Sequence, residues 1–492
     1  MSAAAGAACR APAALASAHK VGRPRPTQWC PAPRRTCPRR SQLQCQAAAP
    51  TAQESVTAWL AGAGVDTAKQ AVAPSGSGLV TSRPVNKGEQ LFAIPESAWI
   101  SSQTAAQSEI GQHLAGLEPW LAIALFLLHE RAKGAASRWA GYLAALPADS
   151  GSPVQWGDDD LAELAGSQLL GTVQGYRAYF QQRFEQLQAE LFAPNSQVFD
   201  PAVFSFENFL WAACTVRARS HPPLDGAGIA LVPLADMTQH QRGAASAGWQ
   251  VKQAGGLFGA GSSTVLIMEA AGSMAAGEPV AMDFGPSKTD GQLLVDHGAL
   301  DPLFSQASYT LTLELSEADS NFDDKIDILE INGLQQATEF VLRADAAPDE
   351  GLLPLLRLLS LQGADAFLLE SIFRSEAWEH MQLPVSEDNE RACYQQLIDG
   401  CNAALAAYPT TIDEDLALLN SGGLQPGSRK QQAVRVRLGE KEALDATLRY
   451  FEDRIGRLSG MEYYAERRLK RLGLMDDSGN STWDGFFEKG IA

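Results

Sequence analysis

The spacing of apolar residues changes several times along the chain, and each change predicts a different kind of element. A helical spacing over residues 54–73 gives way to short apolar runs between residues 79 and 94, which are typical of β-strands. The turn sequence Asn86-Lys87-Gly88-Glu89 separates two of these runs and predicts a hairpin. From residue 108 to about residue 208, apolar and aromatic positions recur every three or four residues, which predicts a long helical segment.

Apolar residues at helical spacing over residues 209–219 predict a further helix. Strand-like patterns follow it and end at about residue 323. The strand-like runs cover residues 229–234, 265–268, 279–282 and 309–313. Beyond them, leucines at helical spacing predict a helical C-terminal region. The pattern therefore predicts an α+β fold, in which a β-rich unit is interrupted by a helical insert and followed by an all-α domain.

Length and charge restrict the class of protein. A chain of 492 residues with 45% hydrophobic residues is long enough for two or three globular domains. The net charge of -18 argues against general nucleic-acid binding, because phosphate contacts need a basic surface. The sequence contains no uncharged apolar stretch of about 18 residues, so it predicts no membrane span. We expect neither nucleic acid nor membrane as a partner, and we expect a monomer.

The first 53 residues differ in composition from the rest of the chain. They contain no Asp or Glu, several Arg residues and a Lys, and many Ala, Ser, Pro and Thr residues. This composition is typical of an organelle transit peptide, and it lacks the continuous apolar core of a secretory signal. We expect an organelle transit peptide over residues 1–48; a basic tail that is never removed is the alternative.

The cysteines predict neither a disulfide framework nor a metal site. Four of the seven lie in the leader, and Cys214, Cys393 and Cys401 are widely spaced without a CxxC motif. We therefore expect buried, reduced thiols in the mature protein and no bound metal.

Three short segments combine glycine or polar residues with strand ends, and they are the candidates for chemistry. The first is the glycine turn at residues 75–78, where a backbone without Cβ atoms can approach a ligand closely. The second follows an apolar strand with the polar cluster at residues 236–240. The third leads from residues 279–282 through Phe284 and a Gly-Pro turn to a short helix with His297. Taken singly, each segment also has a purely structural interpretation.

In this order and spacing, the three segments resemble the SET-domain lysine methyltransferases. The resemblance is to the plant family that methylates the Rubisco large subunit and chloroplast fructose-bisphosphate aldolase. It continues through stretches that look like that family's substrate-binding domain, at residues 309–317, 322–325, 351–354, 365–370 and 463–470. The resemblance implies a SET domain over residues 54–305, with its helical insert at about 108–208. A helical substrate-binding domain over 306–475 and a C-terminal tail over 476–492 would follow.

The resemblance also implies roles for individual residues. The cofactor S-adenosyl-L-methionine (AdoMet) is expected to contact Ser75, Gly76, Ser77, Gly78, Arg219, Gln239 and His240. The substrate lysine is expected to contact Arg219, Asp236, Trp249, Phe284 and His297. Family enzymes bring cofactor and lysine together from opposite faces, which suits in-line displacement at a methyl carbon.

The sequence departs from the family pattern at the catalytic positions themselves. Phe284 stands where the family has a tyrosine, and His297-Gly298-Ala299 replaces Tyr-Gly-Phe. Gln239 replaces the family's asparagine and is one methylene longer. Trp249 occupies a position where the family has another tyrosine of the lysine channel. Loss of one positioned polar group at a reaction centre can cost roughly 100- to 1000-fold in rate.

These observations leave three hypotheses. The first is an active protein-lysine N-methyltransferase in the chloroplast stroma, with the Rubisco large subunit or fructose-bisphosphate aldolase as substrate. The second is a catalytically impaired SET-fold protein that binds a plastid protein. The third is a protein that holds AdoMet without turnover. The target lysine and the degree of methylation are not predicted.

Overall fold

The computed structural model describes most of the chain after the leader. The described residues are 52–67, 70–75, 78–224, 228–243, 247–254, 263–301, 305–370, 376–471 and 475–476. They belong to a single compact unit, Pro50–Ala492. The predicted transit peptide at residues 1–48 lies outside the described residues.

The N-terminal part starts with one helix and four short strands. Helix α1 ends at Gly62 and is therefore shorter than the helix predicted over residues 54–73. The predicted apolar residues Val56, Leu60 and Val65 are nevertheless all buried. The elements are α1 (Ala52–Gly62), β1 (Val72–Ser75), β2 (Gly78–Thr81), β3 (Gln90–Pro95) and β4 (Ile100–Ser101).

The prediction of a hairpin around residues 86–89 is wrong, although the turn itself forms. The amide of Glu89 donates to the carbonyl of Asn86 at 3.0 Å, and Gly88 has a φ of 78°. Strand β2 nevertheless pairs with β1, and β3 pairs with residues 265–269 far along the chain. A turn sequence specifies a reversal of the chain, whereas burial of the apolar face of β3 selects its strand partner.

The helical segment predicted for residues 108–208 is confirmed and forms its own core with the helix that follows it. Nine of the 14 residues of α4 (Pro119–Ala132) are buried, and phenylalanine rings of α7 (Gln168–Leu187) pack against Phe209 of α8 (Phe206–Arg219). The helices are α2 (Ser102–Ala106), α3 (Gly111–Leu114), α4 (Pro119–Ala132), α5 (Ala140–Leu143), α6 (Asp158–Ala162), α7 (Gln168–Leu187) and α8 (Phe206–Arg219).

The middle of the chain returns to the β-rich unit, as the pattern predicted. Strand β9 is the centre of the sheet β3-β9-β8, β6 is the centre of the sheet β4-β6-β5, and β7 pairs with β10 in parallel. The elements are β5 (Ser220–Leu224), β6 (Gly228–Leu231), β7 (Gln239–His240), β8 (Ala247–Ala254), β9 (Ser263–Ala270), β10 (Ala281–Met282) and α9 (Asp290–His297).

The C-terminal region is mainly helical and has a separate leucine-rich core, but it is not all-α as predicted. It begins with an antiparallel pair, β11 and β12, of which only β11 was predicted. The elements are β11 (Ser308–Glu314), α10 (Phe322–Ile331), β12 (Ala337–Arg343), α11 (Leu352–Leu359), α12 (Ala377–Met381), α13 (Glu387–Ala406), α14 (Ile412–Asn420), α15 (Arg429–Ile455) and α16 (Tyr464–Arg471).

The predicted thiols are confirmed as free and buried at Cys214, Cys393 and Cys401. Within the described part of the chain, no single helix has the length and apolar composition to cross a membrane. Helix α11 and the 3₁₀ helix Gly363–Leu369 reach that length only together, and they are bent by 110°.

Helix α15 is tied to the helical insert by a buried cluster of charges. Asp415 is enclosed and accepts hydrogen bonds from Arg437 and from Lys441, whose Nζ lies 2.7 Å from its Oδ2. Arg437 also donates to the carbonyl of Glu163, just after α6, at 2.6 Å. One carboxylate thus pairs two buried cations, one of which joins the C-terminal region to the insert.

Replacing Asp415 by Ala should destabilise the protein by about 3–5 kcal/mol, because the buried Lys441 would lose its carboxylate partner and the buried Arg437 would keep only Glu163. The free energy of unfolding, measured by urea denaturation, checks this. The matched control is Asp413→Ala, on the exposed side of the same first turn, which should cost less than about 1 kcal/mol. Equal losses in the two variants would contradict the assigned role of the cluster.

Candidate active site

The structure brings the second and third candidate segments together around three aromatic rings. The ring centroids of His240 and Phe284 are 5.4 Å apart, and those of Phe284 and His297 are 4.7 Å apart. Both pairs are tilted, with interplanar angles of 34° and 44°. Phe284 therefore lies between the two histidines, and we call this group the ring cluster.

Parallel pairing of β7 with β10 positions the first two rings. Gln239 lies opposite Ala281 and His240 opposite Met282, so the residues after each strand leave the pair side by side. The amide of Phe284 donates to Nδ1 of His240 at 3.1 Å. Burial lowers the pKa of His240 and so favours the neutral ring, and its buried Nε2 has no hydrogen-bond partner among the described residues.

Helix α9 delivers His297, and both of its ends are held. Thr289 begins the helix with a reciprocal capping box, and Gly298 ends it in the left-handed conformation at a φ of 67°. A Cβ at position 298 would lie 1.9 Å from the carbonyl oxygen of Ser150. Glycine is therefore required after His297 both for its backbone conformation and for this close approach.

The tip of His297 contacts a lysine that sequence reasoning did not single out. Nζ of Lys288 lies 3.1 Å from Nε2 of His297 and 2.8 Å from Oδ2 of Asp296. Burial and the charge of Lys288 lower the pKa of His297 to about 4. His297 is therefore an uncharged ring at neutral pH, as a tyrosine at that position would be.

Asp236 is buried and binds the arginine at the end of α8. Its Oδ2 accepts a hydrogen bond from the hydroxyl of Tyr142 at 2.8 Å and lies 3.1 Å from Nη1 of Arg219. Burial raises the pKa of Asp236, while Arg219 and Tyr142 oppose that shift. The carboxylate thus orients Arg219. Tyr142 had been interpreted only as a core residue, because its spacing matches the apolar stripe.

Gly78 lies directly against Gln239. A Cβ at position 78 would lie 2.0 Å from Nε2 of Gln239 and 2.5 Å from its Cγ. The backbone of Ser75 lies opposite Gly78 in the β1–β2 pair, whereas Gly76 and Ser77 lie outside the described residues. The first candidate segment therefore meets the second through Gly78 and Gln239.

Trp249 lies at the border of the site. It is on β8 opposite Met268 and is packed, partly buried, against the core of the β-rich unit. Strand β8 also contacts β10, which leads to Phe284.

Arg242 connects the site to the C-terminal region and was missed by sequence reasoning. Its guanidinium lies 2.6 Å from Oδ1 of Asp290 at the start of α9 and 2.8 Å from Oε1 of Gln306. Its amide donates to Asp301 at 2.7 Å. A single arginine two residues beyond a motif carries no periodic signal, so only the three-dimensional contacts reveal it.

A cleft of about 730 Å³ is lined by Lys288 and Asp296, which neighbour His297, but not by the rings of the ring cluster themselves. It lies between α7, the start and end of α9, and the strands β11 and β12. Tyr176, Arg217, Lys288, Asp296 and Thr310 are among the residues that line it. The cleft therefore borders both the helix that carries His297 and the strands of the C-terminal region.

The pKa of His297 predicts a pH dependence of stability. Between pH 7 and pH 5, the unfolded chain protonates His297 near its ordinary pKa, whereas the folded protein keeps the ring neutral down to about pH 4. Acidification over this interval should therefore cost up to about 2 kcal/mol through this residue. Urea denaturation of the wild type and of His297→Tyr at both pH values measures it. The Tyr variant should lose less stability; identical losses would contradict a buried neutral His297.

Comparison with known proteins identifies the family. The family described as Rubisco LSMT substrate-binding matches residues 316–444. The chain is 37% identical to the chloroplastic Rubisco large subunit N-methyltransferase of Nicotiana tabacum over 428 residues, covering 86% of each protein. It is also 37% identical to the chloroplastic [fructose-bisphosphate aldolase]-lysine N-methyltransferase of Arabidopsis thaliana, covering 86% of this chain and 87% of that one.

A solved structure supports the same relation. The SET domain of LSMT bound to lysine and AdoHcy superimposes with a TM-score of 0.77 at 36% identity, covering 87% of this chain and 98% of that chain. The fold predicted from the sequence, a SET domain followed by a Rubisco-substrate-binding region, is therefore confirmed. The chain belongs to the SET-domain protein-lysine N-methyltransferases, in the family of the plant Rubisco large-subunit and fructose-bisphosphate aldolase enzymes.

Proposed function

We propose that this protein is an active AdoMet-dependent lysine N-methyltransferase of the chloroplast stroma. Its proposed substrate is the Rubisco large subunit or fructose-bisphosphate aldolase, the proteins that its relatives are named for. The observation that carries the proposal is the ring cluster, since it unites two candidate segments. The helix that carries His297 also lines a cleft that reaches the C-terminal region.

The proposed cofactor site consists of residues 75–78 together with Arg219, Gln239 and His240. Two features of these residues fit AdoMet. Nε2 of His240 is a buried polar atom without a partner among the described residues, and Gly78 exposes backbone where any side chain would collide with Gln239. When bound, AdoMet supplies an electrophilic methyl group on a sulfonium cation.

The proposed lysine site consists of Arg219, Asp236, Trp249, Phe284 and His297. A lysine amine is protonated at neutral pH and becomes a nucleophile only after it loses a proton. An aromatic, desolvated environment at Phe284 favours the neutral amine, and ring faces attract the charged form through cation–π interaction. Asp236 holds Arg219 in place, while the neutral ring of His297 adds no charge that would repel an incoming ammonium group.

The proposed domains give each part of the chain a task. Residues 1–48 direct import into the plastid, residues 54–305 form the SET domain with its insert at about 108–208, residues 306–475 dock the substrate protein, and 476–492 form a tail. The match to the substrate-binding family at residues 316–444 falls within the third range and supports this division.

Incubation of the protein with isotopically labelled AdoMet and purified Rubisco or aldolase tests the function. We expect label on a lysine of one of these substrates, detected by peptide mass spectrometry. Label on neither protein, with AdoMet binding intact by calorimetry, would contradict the proposal and favour a non-catalytic binding protein. Methyl transfer that appeared only in a Phe284→Tyr/His297→Tyr variant, and not in the wild type, would lead to the same conclusion.

Replacing Gly78 by Ala should weaken AdoMet binding by about tenfold or more, because the new Cβ displaces Gln239 from the proposed cofactor site; each tenfold loss corresponds to about 1.4 kcal/mol. Isothermal calorimetry of wild type and variant measures the dissociation constants. Gly62→Ala is the matched control, since a Cβ there meets nothing within 4 Å. Unchanged affinity in Gly78→Ala would remove residue 78 from the site.

A further inference from the structure

Lys288 occupies a fixed position at the edge of the ring cluster. Its ammonium group lies 2.8 Å from one oxygen of Asp296 and 3.1 Å from Nε2 of His297. The other oxygen of Asp296 is bound by Arg217, whose guanidinium carbon lies 4.0 Å from the centre of the Tyr176 ring. The stem of Lys288 packs over Gly285, where a Cβ would lie 2.7 Å from its Cγ. Both ends of the lysine side chain are thus held.

The contact between Lys288 and His297 determines where the histidine proton resides. An ammonium group has three donors and no acceptor, so the nitrogen that faces it must present a lone pair. Nε2 of His297 is therefore unprotonated, and the proton of the neutral ring is on Nδ1. Nδ1 is buried and has no hydrogen-bond partner of ordinary geometry among the described residues, while the nearby carbonyl of Ala218 at the end of α8 favours a proton on the ring.

The charged groups around His297 come from every element packed against the ring. Lys288 precedes α9, Asp296 is on α9, His240 is on β7, and Arg217 on α8 acts through Asp296. Burial, Lys288 and His240 disfavour the imidazolium, whereas Asp296 and the Ala218 carbonyl favour it. The first group prevails, and the pKa of His297 falls to about 4.

We propose that Lys288, held by Asp296, is a positioning residue that fixes the His297 ring against Phe284 as the neutral tautomer protonated on Nδ1. Because Asp296 balances its charge, the lysine adds a donor to the site with little net charge.

The consequence for catalysis rests on the proposed function. A site that receives a sulfonium and a lysine ammonium group must hold two cations, and a protonated His297 would repel both. A tyrosine at this position is uncharged at neutral pH without assistance. A histidine titrates close to neutrality, so it stays neutral at mildly acid pH only if its pKa is lowered. Burial lowers the pKa of His297 most, and the neighbouring cation Lys288 lowers it further.

Nitrogen-15 NMR of histidine-labelled full-length protein tests the proposal without substrate or cofactor. In the wild type we expect an unprotonated Nε2 on His297, a protonated Nδ1 and a midpoint of titration below about pH 5. In Lys288→Met the midpoint should rise by at least about one pH unit, and both tautomers should become populated. Lys288→Arg, which keeps the charge and the donors, should retain the wild-type signature.

The matched control is Lys252→Met, which removes another lysine–carboxylate pair, with Glu269, on an exposed strand. It should leave the His297 resonances unchanged. A wild-type Nε2–H tautomer, or an unchanged midpoint and tautomer in Lys288→Met, would overturn the proposal and leave Lys288 as a surface ion-pair partner of Asp296.

Methyl transfer provides a second measurement that separates this inference from the proposed function. In Lys288→Met, the acid limit of kcat/KM should move to higher pH by the shift that NMR records, so the loss of activity at pH 6 should exceed the loss at pH 8.5. A variant that lost activity equally at every pH would show a structural role and contradict the proposal. A wild type without transferase activity would leave the NMR result intact while refuting the transferase.

Discussion

Helix α9 reaches the ring cluster because the backbone of residues 150–151 touches Gly298 without any side chain between them. A Cβ on Gly298 would meet the carbonyl of Ser150 at 1.9 Å, and one on Gly151 would meet the carbonyl of Gly298 at 2.3 Å. At its other end, the helix is held by the ion pair between Arg242 and Asp290. His297, Asp296 and the wall of the cleft depend on this placement, since all are carried by the same eight-residue helix.

Charges are paired at the site, although the molecule as a whole is strongly acidic. The chain has a net charge of -18, yet the cations at the site are each matched to a carboxylate, Arg219 to Asp236 and Lys288 to Asp296. Both histidines of the ring cluster have lowered pKa values, mainly through burial. The result is a neutral aromatic group between balanced ion pairs, an environment suited to cationic ligands whose own charges are not repelled.

The sequence predicted elements well where apolar residues repeat at regular spacing and poorly where strands choose distant partners. The helical insert and strands such as β9 follow from local periodicity. The turn at residues 86–89 was real, but the partner of β3 lies about 175 residues away, so the expected hairpin did not form. Strand β12 was missed, because Phe340-Val341-Leu342 is a continuous apolar run in the sequence. Its alternation appears only on folding, when Phe340 and Leu342 are buried and Val341 is exposed.

The candidate site shows the same division. The order and spacing of the glycine turn, the segment ending at His240 and the segment from Phe284 to His297 were sufficient to predict the family, since those residue types are local in sequence. Tyr142, Arg242 and Lys288 could not be found in that way, because their partners Asp236, Asp290 and His297 become neighbours only after folding. The sequence by itself determined which rings and polar groups are available and in which order. The tertiary structure alone decided their charge states and orientations, because both depend on burial and on contacts between segments distant along the chain.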